Sequence, residues 1–479
     1  MVQLSNLLLG TFALASGTPL TRNDLKACLE DAISGDADRA QFPAEKSFIT
    51  NDVKYFNLNL KHQPAAVMYP ENQEQVAEVV KCAAKYDKKV QARAGGRDFI
   101  NKCLGGADDA VVVDLKDLNA LEVNQRSWMA TVGPGNKLRN LIEGLNKNGK
   151  RFLPHGVSPT VGVGGHLMVG GLGLATRQHG LSIDLLEQIE VVLANDTIAI
   201  ASEKRNSDLF FAPPYVELAQ LELKTLPEPK EIVLFQYNFT SENPTDISEA
   251  LKAYHQVMRD ANLPRNLGAS SSLTRRTFFI NGGFFGSDVE YKTLNLEGRL
   301  PKMTAKRVVP RTSYIDFFND IMQSASSFPD AANMYNKDTV VTPGTMPANS
   351  TIDAFVDHIT TADDGEAGWS FVFDLYGGAS NDVAKGGKAF PHRDLIYTLS
   401  AATTSDGQTS KAAEESIDTA FLKLQGNRPD RYLSYVGVPN YKLKNAQAMY
   451  WGSNLARLRK IKSQYDPSDL FSTPQNVKP

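Results

Sequence analysis

The chain has 479 residues, 42% of them hydrophobic and 22% charged, with a formal charge of −3. This is the composition of a folded globular protein, and it excludes a disordered, collagen-like or coiled-coil chain. Near-balanced charge leaves none of the basic excess that holds nucleic acid, and at roughly 100–200 residues per domain two or three domains are expected.

Residues 1–20 carry a short apolar run, Leu7–Ala15, that ends in small residues. This is the pattern of a secretory signal segment and predicts a secreted protein, with a plain N-terminal helix as the alternative. No later run reaches the ~18 apolar residues of a membrane-crossing helix, so no membrane partner is expected. In an oxidising compartment two of the three cysteines, Cys28, Cys82 and Cys103, could pair and leave one over. Sequons at Asn195, Asn238 and Asn349 are in keeping with secretion.

Next comes an α/β pattern. Ala65–Met68 reads as a strand, and Glu71–Tyr86 as a helix with Val76, Val79, Val80 and Ala83 on one face. Lys89–Arg93 is a strand ending at Gly95-Gly96, and Ala110–Leu115 a buried strand. A helix is expected over Asn136–Asn146, and a hairpin from Glu190–Ala194 and Ile198–Ala201 around Asn195-Asp196. Leu226-Pro-Glu-Pro-Lys230 reads as a boundary. Beyond it, a helix near Asp246–Ala261 and strands such as Thr277–Phe285 and Trp369–Leu375 predict an antiparallel sheet with helices on one side. The last fifty residues read as a strand over Tyr432–Val436 and a helix over Asn454–Gln464.

The densest local signal is Gly156–Gly173, with seven glycines in eighteen residues. Positions without Cβ let backbone N–H groups approach a ligand, and clustered N–H groups suit a diphosphate. Arg93-Ala-Gly95-Gly96-Arg97 and Gly133-Pro-Gly135 are further loops of this kind. Alone, each reads as a tight turn against a sheet; together they point to a dinucleotide. The spacing is not the Gly-x-Gly-x-x-Gly of nicotinamide sites. Seven scattered histidines give no metal-ligand spacing, so no metal is expected.

These segments carry a family likeness. Pro64–Pro70, Gln91–Gly96, His155–Gly173, Gly180–Asp184 and Asn206–Phe211 resemble the FAD-linked oxidases of the vanillyl-alcohol-oxidase superfamily. So do Tyr450-Trp-Gly-Ser-Asn454 and Tyr465–Phe471, with most similarity to berberine-bridge-enzyme-like and oligosaccharide-oxidase-like members. The resemblance implies an α+β fold. A two-part FAD-binding domain would span 21–228 and a substrate domain with an antiparallel sheet and helices 229–425. Residues 426–479 would return to the first domain. It also implies a Cys28–Cys82 disulfide with Cys103 free. It places FAD against Arg93, Ala94, Gly95, Gly96, Arg97, Ser158, Val161, Gly162, Gly164, Gly165, His166, Gly170, Asp184 and Asn454.

Four departures stand out. Members with doubly linked FAD carry a His where this chain has Arg97 and a Cys where it has Ser158. The turn after Phe210-Phe-Ala212 is shortened to Pro213-Pro214-Tyr215. In the Tyr-x-Asn-Tyr-x-Asp segment, Ser434 and Gly437 replace the Asn and the Asp. Tyr435 keeps the place of the active-site tyrosine, and Asp374 that of an acid assisting it. A phenol titrates near ~10 unaided, so Tyr435 as base needs that carboxylate. The expected function is therefore an oxidoreductase with non-covalent FAD acting on a small molecule, a secondary metabolite or a sugar. The alternative is a flavin-free descendant catalysing a cyclisation, dehydration or pericyclic step, with Arg97 projecting into the vacated ring site as a cation or donor. Phe278-Phe279, Phe284-Phe285, Trp369 and Tyr376 are candidates for an apolar wall or for plain core.

Overall fold

The structure, a computed structural model, describes residues 21–212, 217–325, 329–362 and 368–479. The shortened turn Pro213-Pro214-Tyr215 and the apolar segment 1–20 lie outside them.

The first part is a four-stranded sheet in the order Ala40–Gln41, Ala66–Met68, Val111–Asp114, Val90–Arg93. Ala66–Met68 and Val90–Arg93 both run parallel to Val111–Asp114. The helix Gln73–Lys85 carries the chain from Ala66–Met68 across to Val90–Arg93, which flank Val111–Asp114 on either side. Asn72 caps that helix, its side chain accepting from the Gln75 N–H, and Val76, Val79, Val80 and Ala83 turn into the core. Cys28, on the helix Arg22–Ala32, is bonded to Cys82 with Cα atoms 5.9 Å apart, and Cys103 is free.

The second part is a five-stranded antiparallel sheet, ordered Leu121–Val123, Met129–Val132, Glu217–Lys224, Leu186–Val192, Ile198–Ser202. Its last two strands form the hairpin expected around Asn195-Asp196, and Asp196 takes the left-handed conformation that such a turn demands (φ 62°).

After Leu226–Pro227 pairs with Arg151–Phe152, the chain enters a seven-stranded antiparallel sheet. Its central strands are Thr277–Phe284, Leu267–Leu273, Gly368–Leu375 and Tyr397–Ser405. Alternation gives this sheet two unlike faces. Phe371, Phe373 and Leu375 pack into a core with Leu251, Phe355 and Phe421 from the helices Pro244–Met258, Asn349–Thr361 and Lys411–Leu424. The alternate residues Ser370, Val372 and Asp374 face the other way, into a cavity.

The C-terminal stretch docks back on the first part. Leu470 accepts the Val90 N–H, while the buried Asp466 accepts the N–H groups of Leu470 and Phe471. Tyr432–Val436 is not a ladder strand as expected. It makes one isolated bridge, Leu433 to Val340, because the next inward N–H, that of Tyr435, donates to the Asp338 carboxylate rather than to a backbone carbonyl.

Candidate active site

Two cavities adjoin where the three parts meet. One, of about 400 Å³, is walled by Ala94–Arg97, by Gly162, Gly164 and Gly165, and by Tyr376, Tyr435 and Trp451. The other, of about 660 Å³, lies over the open face of the seven-stranded sheet. Arg97, Phe99 and Val161 border both. The second cavity has a floor of small hydroxyls, Ser270, Ser272, Thr274, Ser370, Ser400 and Thr404, and aromatic walls from Phe56, Phe279 and Trp369. Asp374 is its one carboxylate among the described lining residues.

The two glycine-rich loops lie back to back. A Cβ on Gly95 would strike the backbone of Gly162, and one on Gly162 would strike Gly95 and Ala94. Their glycines therefore permit chain contact first. Gly165 differs: a Cβ there would meet nothing within 4 Å, because it faces the cavity. Gly133-Pro-Gly135 is no part of this wall. Side chains there would run into the carbonyls of Leu115 and Leu118, so this loop is a tight packing turn.

Of the residues expected at a cofactor, Ala94, Gly95, Gly96, Arg97, Val161, Gly162, Gly164, Gly165 and His166 line the smaller cavity. Ser158 lines the larger. Four others line neither cavity, and their contacts are within the protein. Arg93 is buried, paired with Asp114 and donating to the Val53 carbonyl at 2.7 Å. Asp184 holds Arg393 in a two-pronged ion pair of 2.7 and 2.8 Å. Asn454 donates to the carbonyls of Lys388 and Ala389. Gly170, with φ 117°, packs against Phe390.

Arg97 is not a loose cation. Its guanidinium lies 4.6 Å from the Phe56 ring centre and donates to the carbonyl and carboxylate of Asp330 at 3.2 and 3.1 Å. His166 accepts the Gly156 N–H through Nε2, and burial pushes its pKa down to about 3, so the ring is neutral. Burial pushes the Asp374 carboxyl up to about 6, with a Ser270 hydrogen bond holding it lower. Burial, then the charges of Asp338 and Asp374, raise the Tyr435 phenol well above the ordinary range. Tyr435 and Asp374 sense each other electrostatically but face different cavities.

Sequence reasoning missed Asp338 and Glu217. Asp338 accepts the Tyr435 N–H at 2.6 Å, and its other carboxylate oxygen has no partner among the described residues. Burial raises its pKa far above the usual range. Glu217 is buried beside Ala92, behind the first glycine loop, and burial pushes it up to about 8. Both acids lie in strands that carry other polar residues, Lys337 beside Asp338 and Gln220 and Glu222 after Glu217, so the sequence offered no local signal for either. Of the six candidate wall aromatics, Phe279 and Trp369 line the larger cavity and Tyr376 the smaller; Phe278, Phe284 and Phe285 are core.

The smaller cavity suits FAD chemically. It offers backbone amides from two converging loops, Arg97 and Lys102 on its wall, and open space at Gly165.

Comparison with known proteins agrees with this. Residues 64–202 match the FAD binding domain model and residues 434–478 the berberine and berberine-like model. The chain is 32% identical to the FAD-linked oxidoreductase sorD of Penicillium rubens, over 94% of this chain and 98% of that one. It is 28% identical to a chitooligosaccharide oxidase of Gibberella zeae, over 99% of both. Among solved structures, the xylooligosaccharide oxidase of Myceliophthora thermophila, held in complex with xylobiose, superposes with a TM-score of 0.86 at 26% identity, covering 95% of this chain and 99% of that one. A glucooligosaccharide oxidase of Acremonium strictum, whose FAD is 6-S-cysteinyl, 8α-N1-histidyl, gives the same score, identity and coverage.

Proposed function

This chain belongs to the FAD-linked oxidoreductases that join an FAD-binding domain to a berberine-like C-terminal segment, and we propose that it oxidises a neutral, hydroxyl-bearing small molecule, a secondary metabolite or a sugar, with FAD held non-covalently. The observation that carries this reading is the junction of the two cavities. Glycine loops wall one, hydroxyls and a single carboxylate line the other, and the residues at the usual points of flavin attachment, Arg97 and Ser158, border the larger cavity. Neither residue type makes the histidyl or cysteinyl bond.

Ala94–Arg97, Gly162, Gly164 and Gly165 would hold the cofactor, which supplies a two-electron acceptor for the substrate's hydride. Asp374 takes the hydroxyl proton. It faces the substrate cavity, and a carboxyl that titrates near 6 is an efficient base at neutral pH. Tyr435 keeps its own proton, because burial and two nearby acids disfavour the phenolate, and it stands on the wall of the smaller cavity as a hydrogen-bond donor rather than a base. This reverses the roles expected from sequence alone. The hydroxyl floor and aromatic walls suit a ring system carrying oxygen substituents. The Cys28–Cys82 bond is in keeping with passage through an oxidising compartment.

The first test is colour. Purified protein should be yellow and release its flavin into solution on acid precipitation. Flavin retained on the precipitate would overturn the non-covalent reading. Colourless protein that gains no flavin band on FAD addition, yet turns over substrate without oxygen uptake, would establish the flavin-free alternative instead.

A further inference from the structure

Gly437 lies two residues beyond Tyr435 and lines the same cavity. A Cβ built on it would stand 2.5 Å from Cζ and 2.7 Å from the hydroxyl oxygen of Tyr435, and its three nearest neighbours would all belong to that ring. Real Cβ atoms do not approach so closely. The backbone of Gly437 is outside the left-handed region, so nothing in its own conformation demands glycine. The missing side chain serves the phenol, which lies across the space it vacates.

Two further contacts define that seat. The Asp338 carboxylate accepts the Tyr435 N–H at 2.6 Å and ties the tyrosine's backbone to the strand Asn333–Val341. The Phe390 ring meets the Tyr435 ring edge-on, with centroids 6.1 Å apart. Backbone clamp, ring neighbour and empty Cβ site together hold the Tyr435 ring at the wall of the smaller cavity. Any side chain at 437, the aspartate of the resembling sequences included, collides with this arrangement.

We propose that Gly437 is a positioning residue whose missing Cβ seats the Tyr435 phenol on the wall of the smaller cavity. The functional consequence rests on the reading of that cavity as an FAD site; the seat itself does not.

The test is a double-substitution cycle on the full chain. Gly437→Ala is made in the native background and in Tyr435→Leu, which keeps apolar bulk but ends short of the colliding atoms. Tyr435→Ala replaces that background if Tyr435→Leu does not fold. Tm is read by thermal unfolding, and flavin fluorescence yield is read after FAD addition. In the native background Gly437→Ala lowers Tm by several degrees and changes the flavin yield at least twofold, since a phenol beside a flavin quenches it. In the leucine background both effects vanish, because no ring remains to be displaced. Equal Tm losses in the two backgrounds would overturn the proposal. Coupled Tm losses with an unchanged flavin yield would overturn the placement of the hydroxyl at the cofactor. Coupled losses in a protein that takes up no FAD leave the seat standing and remove the FAD reading instead.

Discussion

Asp374 shows how one burial event sets chemistry and stability in opposite directions. Facing a cavity from a sheet floor, its carboxylate loses water and gains one Ser270 hydrogen bond, and its pKa rises from 3.8 to about 6. A base works ionised, so anaerobic flavin reduction by substrate should climb with pH and level off above about 6. Asp374→Asn should slow that step by about 10²–10⁴-fold and abolish the limb, as rapid-mixing absorbance would record. A variant that kept the limb would assign it to another group. Stability runs the other way. The fold prefers the protonated carboxyl, so this contribution is present below the unfolded value of 3.8 and lost as pH rises through about 6. The histidines behave inversely. Burial pushes His155 and His166 down to about 4 and 3, so the fold prefers them neutral. Their contribution is present above the unfolded value of 6.5 and is lost as pH falls through the folded values. Thermal unfolding at pH 4.5 against pH 7 should therefore show a His166→Gln variant less acid-sensitive than the native chain. An unchanged difference would mean that His166 is not buried neutral.

Between elements, the site depends on joints that sequence periodicity does not report. The turn Ser182–Leu185 presents Asp184 to Arg393, in the loop before the strand Tyr397–Ser405 and 209 residues away, with the two side chains 11% and 1% exposed. Arg177 extends the same seam, donating to the carbonyls of Tyr376 and Leu263 at 2.6 and 3.0 Å. Asp184→Asn leaves a buried guanidinium without its counter-charge and should cost about 3–5 kcal/mol, read as a fall in denaturant midpoint with an unchanged slope. A loss below about 1 kcal/mol would show the pair to be solvent-screened. Such joints explain what could be read beforehand. The crossover unit around Gln73–Lys85 and the hairpin at Asn195-Asp196 follow from local periodicity and turn chemistry, and both formed. The glycine loops were legible as a cluster, since a glycine count needs no partner. The family likeness alone places Asp184 at the cofactor, and its ion pair with Arg393 was not legible because 209 residues separate the two. Asp338 was passed over because its meaning comes from Tyr435, which only the fold brings to it. Tyr432–Val436 had a strand's composition, but a side-chain acceptor displaced the ladder.

Across the whole molecule, the smaller cavity is assembled from segments far apart in the chain, so whatever orders those segments also builds the site. The Cys28–Cys82 bond closes 54 residues. That span includes the turn Phe48–Val53, whose Val53 carbonyl receives Arg93 at the base of the first glycine loop. In the chain-entropy account, closing such a loop restricts the unfolded state by about 4 kcal/mol. Cys103 does not offer an exchange partner at neutral pH, since burial pushes its thiol up to about 12. Joint replacement of Cys28 and Cys82 by alanine should lower Tm, and it leaves Cys103 as the chain's single thiol. A ligand that binds only the folded chain stabilises it by about 2.7 kcal/mol at a hundredfold excess over Kd. FAD added at that excess should recover a large part of the lost Tm in the alanine variant, and raise Tm in the native chain. If FAD raises Tm in neither, the two glycine loops frame a cavity that no longer takes the cofactor, and the redox reading falls with it.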